Sequence, residues 1–183
     1  MRLKRVLHIP DAHSPFHDKI AWKLFLEIAK DFKPHTVIVH GDFFDFYSVS
    51  RHDKDPLVDF KLWKDEMQEA RGVLADVENL KAKTHVFLEG NHEKRLQNYI
   101  SNQCPKLSGI YKTPELLGLD ESWLYLPYGQ DNHYKIGNLI CTHGSRAGEN
   151  PAASMVKKYK SSVAFGHTHR IQEYSIKNAD GAI

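Results

Sequence analysis

Five times along this 183-residue chain, a short apolar run stops at a turn made of glycine, aspartate, asparagine and histidine. Residues 3–9 lead into Asp11-Ala12-His13, and residues 35–40 into Gly41-Asp42-Phe43-Phe44-Asp45. Residues 84–88 lead into Gly90-Asn91-His92-Glu93, residues 139–142 into His143-Gly144, and residues 163–165 into Gly166-His167-Thr168-His169. Runs this short and this rich in valine and isoleucine read as strands. Between the first three lie two stretches of helical spacing. Residues 19–30 carry Ile20, Leu24 and Ile28 on one face with Trp22, Phe25 and Leu26 beside it, and residues 59–80 place Leu62, Met67, Val73, Leu74 and Val77 at helical intervals. A β-α-β-α-β order favours crossover connections and neighbouring parallel strands. The class is α/β, and in such sheets ligands bind beyond the carboxyl ends of the strands. Parallel strands would bring the five turns to one rim.

The remaining elements are less regular. A short helix is expected over 93–100 and another over 152–160, the latter with Pro151 in its first turn. Residues 134–136 and 139–142 flank Gly137-Asn138 as a hairpin. Residues 102–122 hold two prolines and two glycines and read as an irregular excursion, and 171–176 alternate weakly. With no repeat or Gly/Ser linker, residues 1–183 read as one domain, a length at which a real core forms without staples. Trp22, Trp63 and Trp123 are expected as core anchors. His8, His35, His40 and His85, in or beside strands, are expected to pack or hydrogen-bond, and His17 and His52 to approach a substrate.

Lys+Arg 25 against Asp+Glu 23 gives a formal charge of +2, which indicates neither a nucleic-acid nor a membrane partner. No apolar run approaches the roughly 20 residues of a bilayer span, and the N-terminus lacks the core of a signal peptide. Cys104 and Cys141 make no disulfide framework, so a cytoplasmic location is expected. A symmetric dimer is a reasonable expectation, with no interface identified.

Histidine is the outlier, with 12 copies. Alternate residues of extended chain point the same way, so Asp11 with His13, or His167 with His169, can offer two donors to one centre or to adjacent centres. Oxygen and imidazole donors without a thiolate cluster suit Mn, Fe, Zn or Ni. Arg51, Arg95 and Arg146, each downstream of a turn, are candidates to clamp a phosphate.

The ordered set D-x-H, G-D-x-x-D, G-N-H-E, H-G and G-H-T-H, spanning Asp11 to His169, resembles the calcineurin-like metallophosphoesterases. The stretch from Gly41 to Asp55 resembles compact phage-encoded members. The resemblance implies a two-sheet β-sandwich flanked by helices. It implies two divalent ions, Mn favoured: one held by Asp11, His13, Asp42 and His169, the other by Asp42, Asn91, His143 and His167. His92 matches the family's catalytic histidine, and Asp45 the acid that orients it. The implied reaction is phosphomonoester or phosphodiester hydrolysis, with two ions about 3.5–4 Å apart activating a hydroxide for in-line attack. A nuclease acting on DNA or RNA and a catalytically silent scaffold are the alternatives. The phosphoprotein-phosphatase branch fits less well, because Phe46-Tyr47 follow Asp45 where that branch carries Arg-Gly. The chain stops soon after the last motif, so the second sheet is expected to be short, truncated or completed by a partner.

Overall fold

In the computed structural model, residues 4–51, 63–129, 132–178 and 181–182 are described. Strands β1 (Val6–Ile9), β2 (Thr36–Val39), β3 (Thr84–Leu88) and β4 (Trp123–Leu126) form a parallel sheet in sequential order. Val6 pairs with Thr36, Thr36 with Thr84 and His85 with Trp123, so the strand ends lie level. Helix α1 (Lys19–Phe32) links β1 to β2, and α2 (Trp63–Glu78) precedes β3. Every crossover steps the same way along the sheet, and connections of one hand then stack their helices on one face.

Period-two alternation sorts the side chains. Ile9, Val37, Val39 and Phe87 face the helices and pack with Met67, Ala70, Leu74 and Val77 of α2 and with Trp123. Ile38, Val86 and Leu88 point the other way and pack with Cys141. That second face meets a mixed sheet in which β6 (Leu139–Thr142) lies between antiparallel β5 (Tyr134–Ile136) and parallel β7 (Ser162–Phe165). A sheet covered on both faces has strands apolar throughout, which is why β2 is buried along its whole length. The expected α/β sandwich with flanking helices is what is found.

Asp18 caps α1, its carboxylate accepting the N–H groups of Ile20 and Ala21 at 2.8 and 3.0 Å. Beyond β3 come α3 (Lys94–Gln103), a 3-10 turn (Pro105–Leu107) and α4 (Thr113–Leu117), with α5 (Pro151–Tyr159) before β7. The excursion expected over 102–122 is therefore partly helical, and β4 follows it as a strand without a clear sequence signal. No strand forms over 171–176; a two-stranded β8 (Lys177–Asn178) and β9 (Gly181–Ala182) pair follows instead. The tryptophans do serve as anchors: Trp123 is buried, and Trp22 and Trp63 pack half-buried on the same core. The start of the helix expected from residue 59, and His52, lie outside the described residues. Among the described residues no helix is long and apolar enough to cross a membrane.

Candidate metal centre

The five turns follow β1, β2, β3, β6 and β7, and all meet at one rim where the two sheets adjoin. The first two are zipped together. His13 N–H donates to Asp42 O at 2.9 Å, Ser14 N–H to Phe43 O at 2.7 Å, and Asp45 N–H to Ser14 O at 3.0 Å. Gly41 lets the second turn touch the third: it sits at φ +85°, and a Cβ there would lie 2.6 Å from the Gly90 nitrogen.

Backbone conformation at this rim is unusual. Asp11, His13, Asp42, His167 and His169 all have positive φ, between 47° and 74°. The left-handed region costs a non-glycine residue about 1–2 kcal/mol. Such outliers persist where surrounding bonds over-determine them, and here those bonds are present: Asp11 Oδ1 accepts His167 N–H at 2.8 Å, and Asp42 Oδ1 accepts His92 N–H at 2.9 Å.

Two groups of donor atoms result. Asp11, His13, Asp42 and His169 each direct one ligand atom to a common place, all within 4.8 Å of one another, and Asp42, His143 and His167 do the same. Asp42 belongs to both. Asn91 joins the second group, its Oδ1 being 3.0 Å from His143 Nε2.

Hydrogen bonding shows what the groups are suited to hold. His143 Nδ1–H donates to the His40 carbonyl at 2.7 Å, which leaves Nε2 bare in a neutral ring. That lone pair faces the Asn91 oxygen and, at 3.4 Å, Asp42 Oδ2. Likewise His13 Nδ1–H donates to Asp45 Oδ2 at 2.8 Å and turns Nε2 to within 2.9 Å of His169 Nε2. His167 Nδ1 is buried with no hydrogen-bond partner. A bare nitrogen facing acceptor oxygens, as His143 Nε2 does, is unfavourable inside a protein unless a proton or a cation lies between them. The residues present fit a pair of divalent ions. Burial lowers the His143 pKa, in keeping with a bare nitrogen. For His13 burial acts in the same direction, but the Asp45 hydrogen bond and the charges of Asp42, Asp45 and Asp11 outweigh it and raise the pKa. That concentration of negative charge attracts cations.

Asp45 serves two histidines. Its carboxylate takes His13 Nδ1–H and lies 3.4 Å from His92 Nδ1, while its backbone carbonyl accepts that same His92 N–H at 2.8 Å. Burial alone would raise the Asp45 pKa; the bonds and charges of His13 and His92 instead hold it far below the usual carboxylate range. Arg95 donates to the Asp45 carbonyl at 3.0 Å and to His92 Nε2 at 2.7 Å. Arg51 and Arg95 line a cavity of about 230 Å³ with Asn91, Asn98, Tyr99 and Asn102. Arg146 lies exposed on the loop after β6 and does not line that cavity. His17 meets the Trp22 ring of α1 edge-on.

Two further residues hold this geometry: Glu93, to which the sequence assigned no role in the site, and His40, expected only to pack or hydrogen-bond, as it does. Glu93 is buried, and its carboxylate accepts four backbone N–H groups: Gly90 at 2.8 Å and Asp42 at 3.0 Å on Oε2, Phe43 at 2.7 Å and Phe44 at 2.9 Å on Oε1. Burial, and then the Asp42 charge, raise its pKa to about 8 despite these donors. Four N–H groups nonetheless leave no acceptor for a carboxyl proton, so the carboxylate is the form that the geometry fits. The other residue is His40. It accepts from His8 Nδ1–H at 2.8 Å and donates from Nδ1 to Thr142 O at 3.0 Å, tying the two sheets together beside His143. Donor atoms also gather at His13, Asp45 and His92 and at His8, His40 and Cys141, but hydrogen bonds already account for Asp45, His92 and His40. The glutamate of G-N-H-E was visible as a motif letter; its three partners in the second turn, some 50 residues earlier, were not.

A family model described as calcineurin-like phosphoesterase matches residues 4–171. The chain is 29% identical over 181 residues to the gene 54 protein of Mycobacterium phage D29, an alignment covering 91% of this chain and 69% of the relative. It is 29% identical over 183 residues to the gene 54 protein of Mycobacterium phage L5, with the same coverage.

Proposed function

The chain belongs to the calcineurin-like phosphoesterase family, whose members are divalent-metal-dependent phosphoester hydrolases, and from that premise we propose a dinuclear centre with assigned ligands. One ion is held by Asp11, His13, Asp42 and His169, and the other by Asp42, Asn91, His143 and His167. The observation that carries this reading is the sharing of Asp42 by two donor groups whose ligand atoms each gather within 4.8 Å. Residues 1–183 act as one metallophosphoesterase domain on a phosphomonoester or phosphodiester. Mn²⁺ suits mixed oxygen and imidazole donors without thiolate.

Divalent ions held there supply Lewis acidity and offset the negative charge of the phosphate. The chain's own residues supply orientation and proton movement. His92 keeps its Nδ1 proton on the Asp45 carbonyl, so Nε2, after taking a proton from solvent, is the atom that passes it to the leaving oxygen. Arg95 occupies that nitrogen in the free protein. When substrate enters, the Arg95 guanidinium turns to a phosphate oxygen and frees Nε2. Arg51 lines the same cavity and offers a second positive charge for the phosphate. The Asp45 carboxylate keeps His13 turned toward its ion.

The test strips the protein with a chelator, reloads it separately with Mn, Ni, Zn and Mg, and follows p-nitrophenyl phosphate and bis-p-nitrophenyl phosphate. Metal-stimulated turnover of one ester is expected. His92→Ala should retain bound metal and lose about 10²–10⁴-fold in kcat. Absence of metal-stimulated turnover on either ester, or a metal-replete His92→Ala protein at full rate, overturns the proposal.

A further inference from the structure

Helix α1 carries a pattern that the metal centre does not use. Its inner side, with Trp22 and Phe25 half-buried and Ala29 fully buried, packs on the parallel sheet. Ile20, Leu24, Ile28 and Phe32 follow one another at intervals of four and stay outside, exposed by 84%, 57%, 61% and 40%. Residues spaced by four form one ridge along a helix. Four such side chains present on the order of 400 Å² of contiguous apolar surface, more than scattered surface residues do.

One position before each stands a charged residue, about 100° round the helix. These are Lys19, Lys23, Glu27 and Asp31, two cations toward the N-terminus and two anions toward the C-terminus. Among the described residues none of the four takes part in an ion pair.

We infer that this face of α1 docks on α1 of a second copy of the chain, antiparallel about a two-fold axis. In such a pair the same flank of each helix meets itself. Lys23 then stands opposite the partner's Glu27, and Lys19 opposite the partner's Asp31, each contact occurring twice. A parallel pair would set this charged flank against the partner's opposite flank, which carries Ala21, Phe25 and Ala29, and would form none of these contacts. The apolar ridges interdigitate as four-spaced ridges do in globular helix pairs. The ridge provides about half of the roughly 800 Å² per partner in a standard interface. The lysine and glutamate stems add to it, which fits a reversible dimer in the micromolar range. No proposed metal ligand lies on α1, so the face can be altered without touching the centre.

Sedimentation velocity on the full chain, from low to high micromolar concentration, is the test. The expected result is a concentration-dependent shift from one copy to two. Ile28→Glu should leave one copy at every concentration, with an unchanged circular dichroism spectrum. Lys23→Glu and Glu27→Lys should each raise the dissociation constant about tenfold, and the two together should restore it. Wild-type protein that stays a single copy throughout overturns the inference. So does a dimer indifferent to Ile28→Glu, or a charge exchange that fails to rescue.

Discussion

Replacing Glu93 by glutamine changes one oxygen into an NH₂ group and leaves the side-chain size unchanged. Whichever oxygen is replaced, two of the four backbone N–H groups lose their acceptor and face a donor instead. A buried polar group without a partner costs about 1–3 kcal/mol, so Glu93→Gln should destabilise the fold by roughly 4 kcal/mol. That is a large share of the 5–15 kcal/mol typical of a domain. The damage is local, because the freed N–H groups belong to the turns bearing Asp42 and Asn91. Urea unfolding at neutral pH with chelator present measures the stability term, and Mn titration calorimetry measures the site. The midpoint should fall with little change in slope, and metal affinity should fall with it. A loss below about 1 kcal/mol would mean that these four bonds do not hold the turns.

His40 is buried and its pKa is lowered to about 4, chiefly by burial, from an ordinary value of 6.5. Such a group gives full stability above pH 6.5 and loses it as pH falls toward 4, a gap worth roughly 3 kcal/mol. His40→Leu should therefore flatten the acid limb of the stability profile measured by urea midpoints. His8, whose pKa burial also lowers, should keep part of the slope. Asp45→Asn removes the carboxylate that orients His13; it should weaken metal binding about 10–100-fold by calorimetry while the fold persists.

The hydrophobic pattern made most of the first sheet legible, because β1, β2 and β3 are apolar runs ended by turn residues. The hairpin of β5 and β6 was legible through Gly137-Asn138. β4 was not: Trp123-Leu124-Tyr125-Leu126 does not alternate, and it is a strand because β3 offers it an edge. α4 has Pro114 in its first turn and Gly118 at φ 83° after its last, but five residues are too few for a periodicity. Residues 171–176 alternate without a strand to pair with, and a period alone makes no strand. At the rim, the residue types that gather were readable from the turns. The bonds that aim them were not, since Glu93 and His40 act on atoms contributed by distant parts of the chain.

The left-handed backbone at Asp11, His13, Asp42, His167 and His169 has an evolutionary consequence. Glycine would relieve the torsional penalty at His13, His167 and His169, so under the ligand assignment proposed above these positions set thermal endurance against metal binding. A mutant library screened by heating alone, with no demand for turnover, should enrich glycine or asparagine at His13, His167 and His169. The hottest survivors would then be well-folded proteins with no chemistry left.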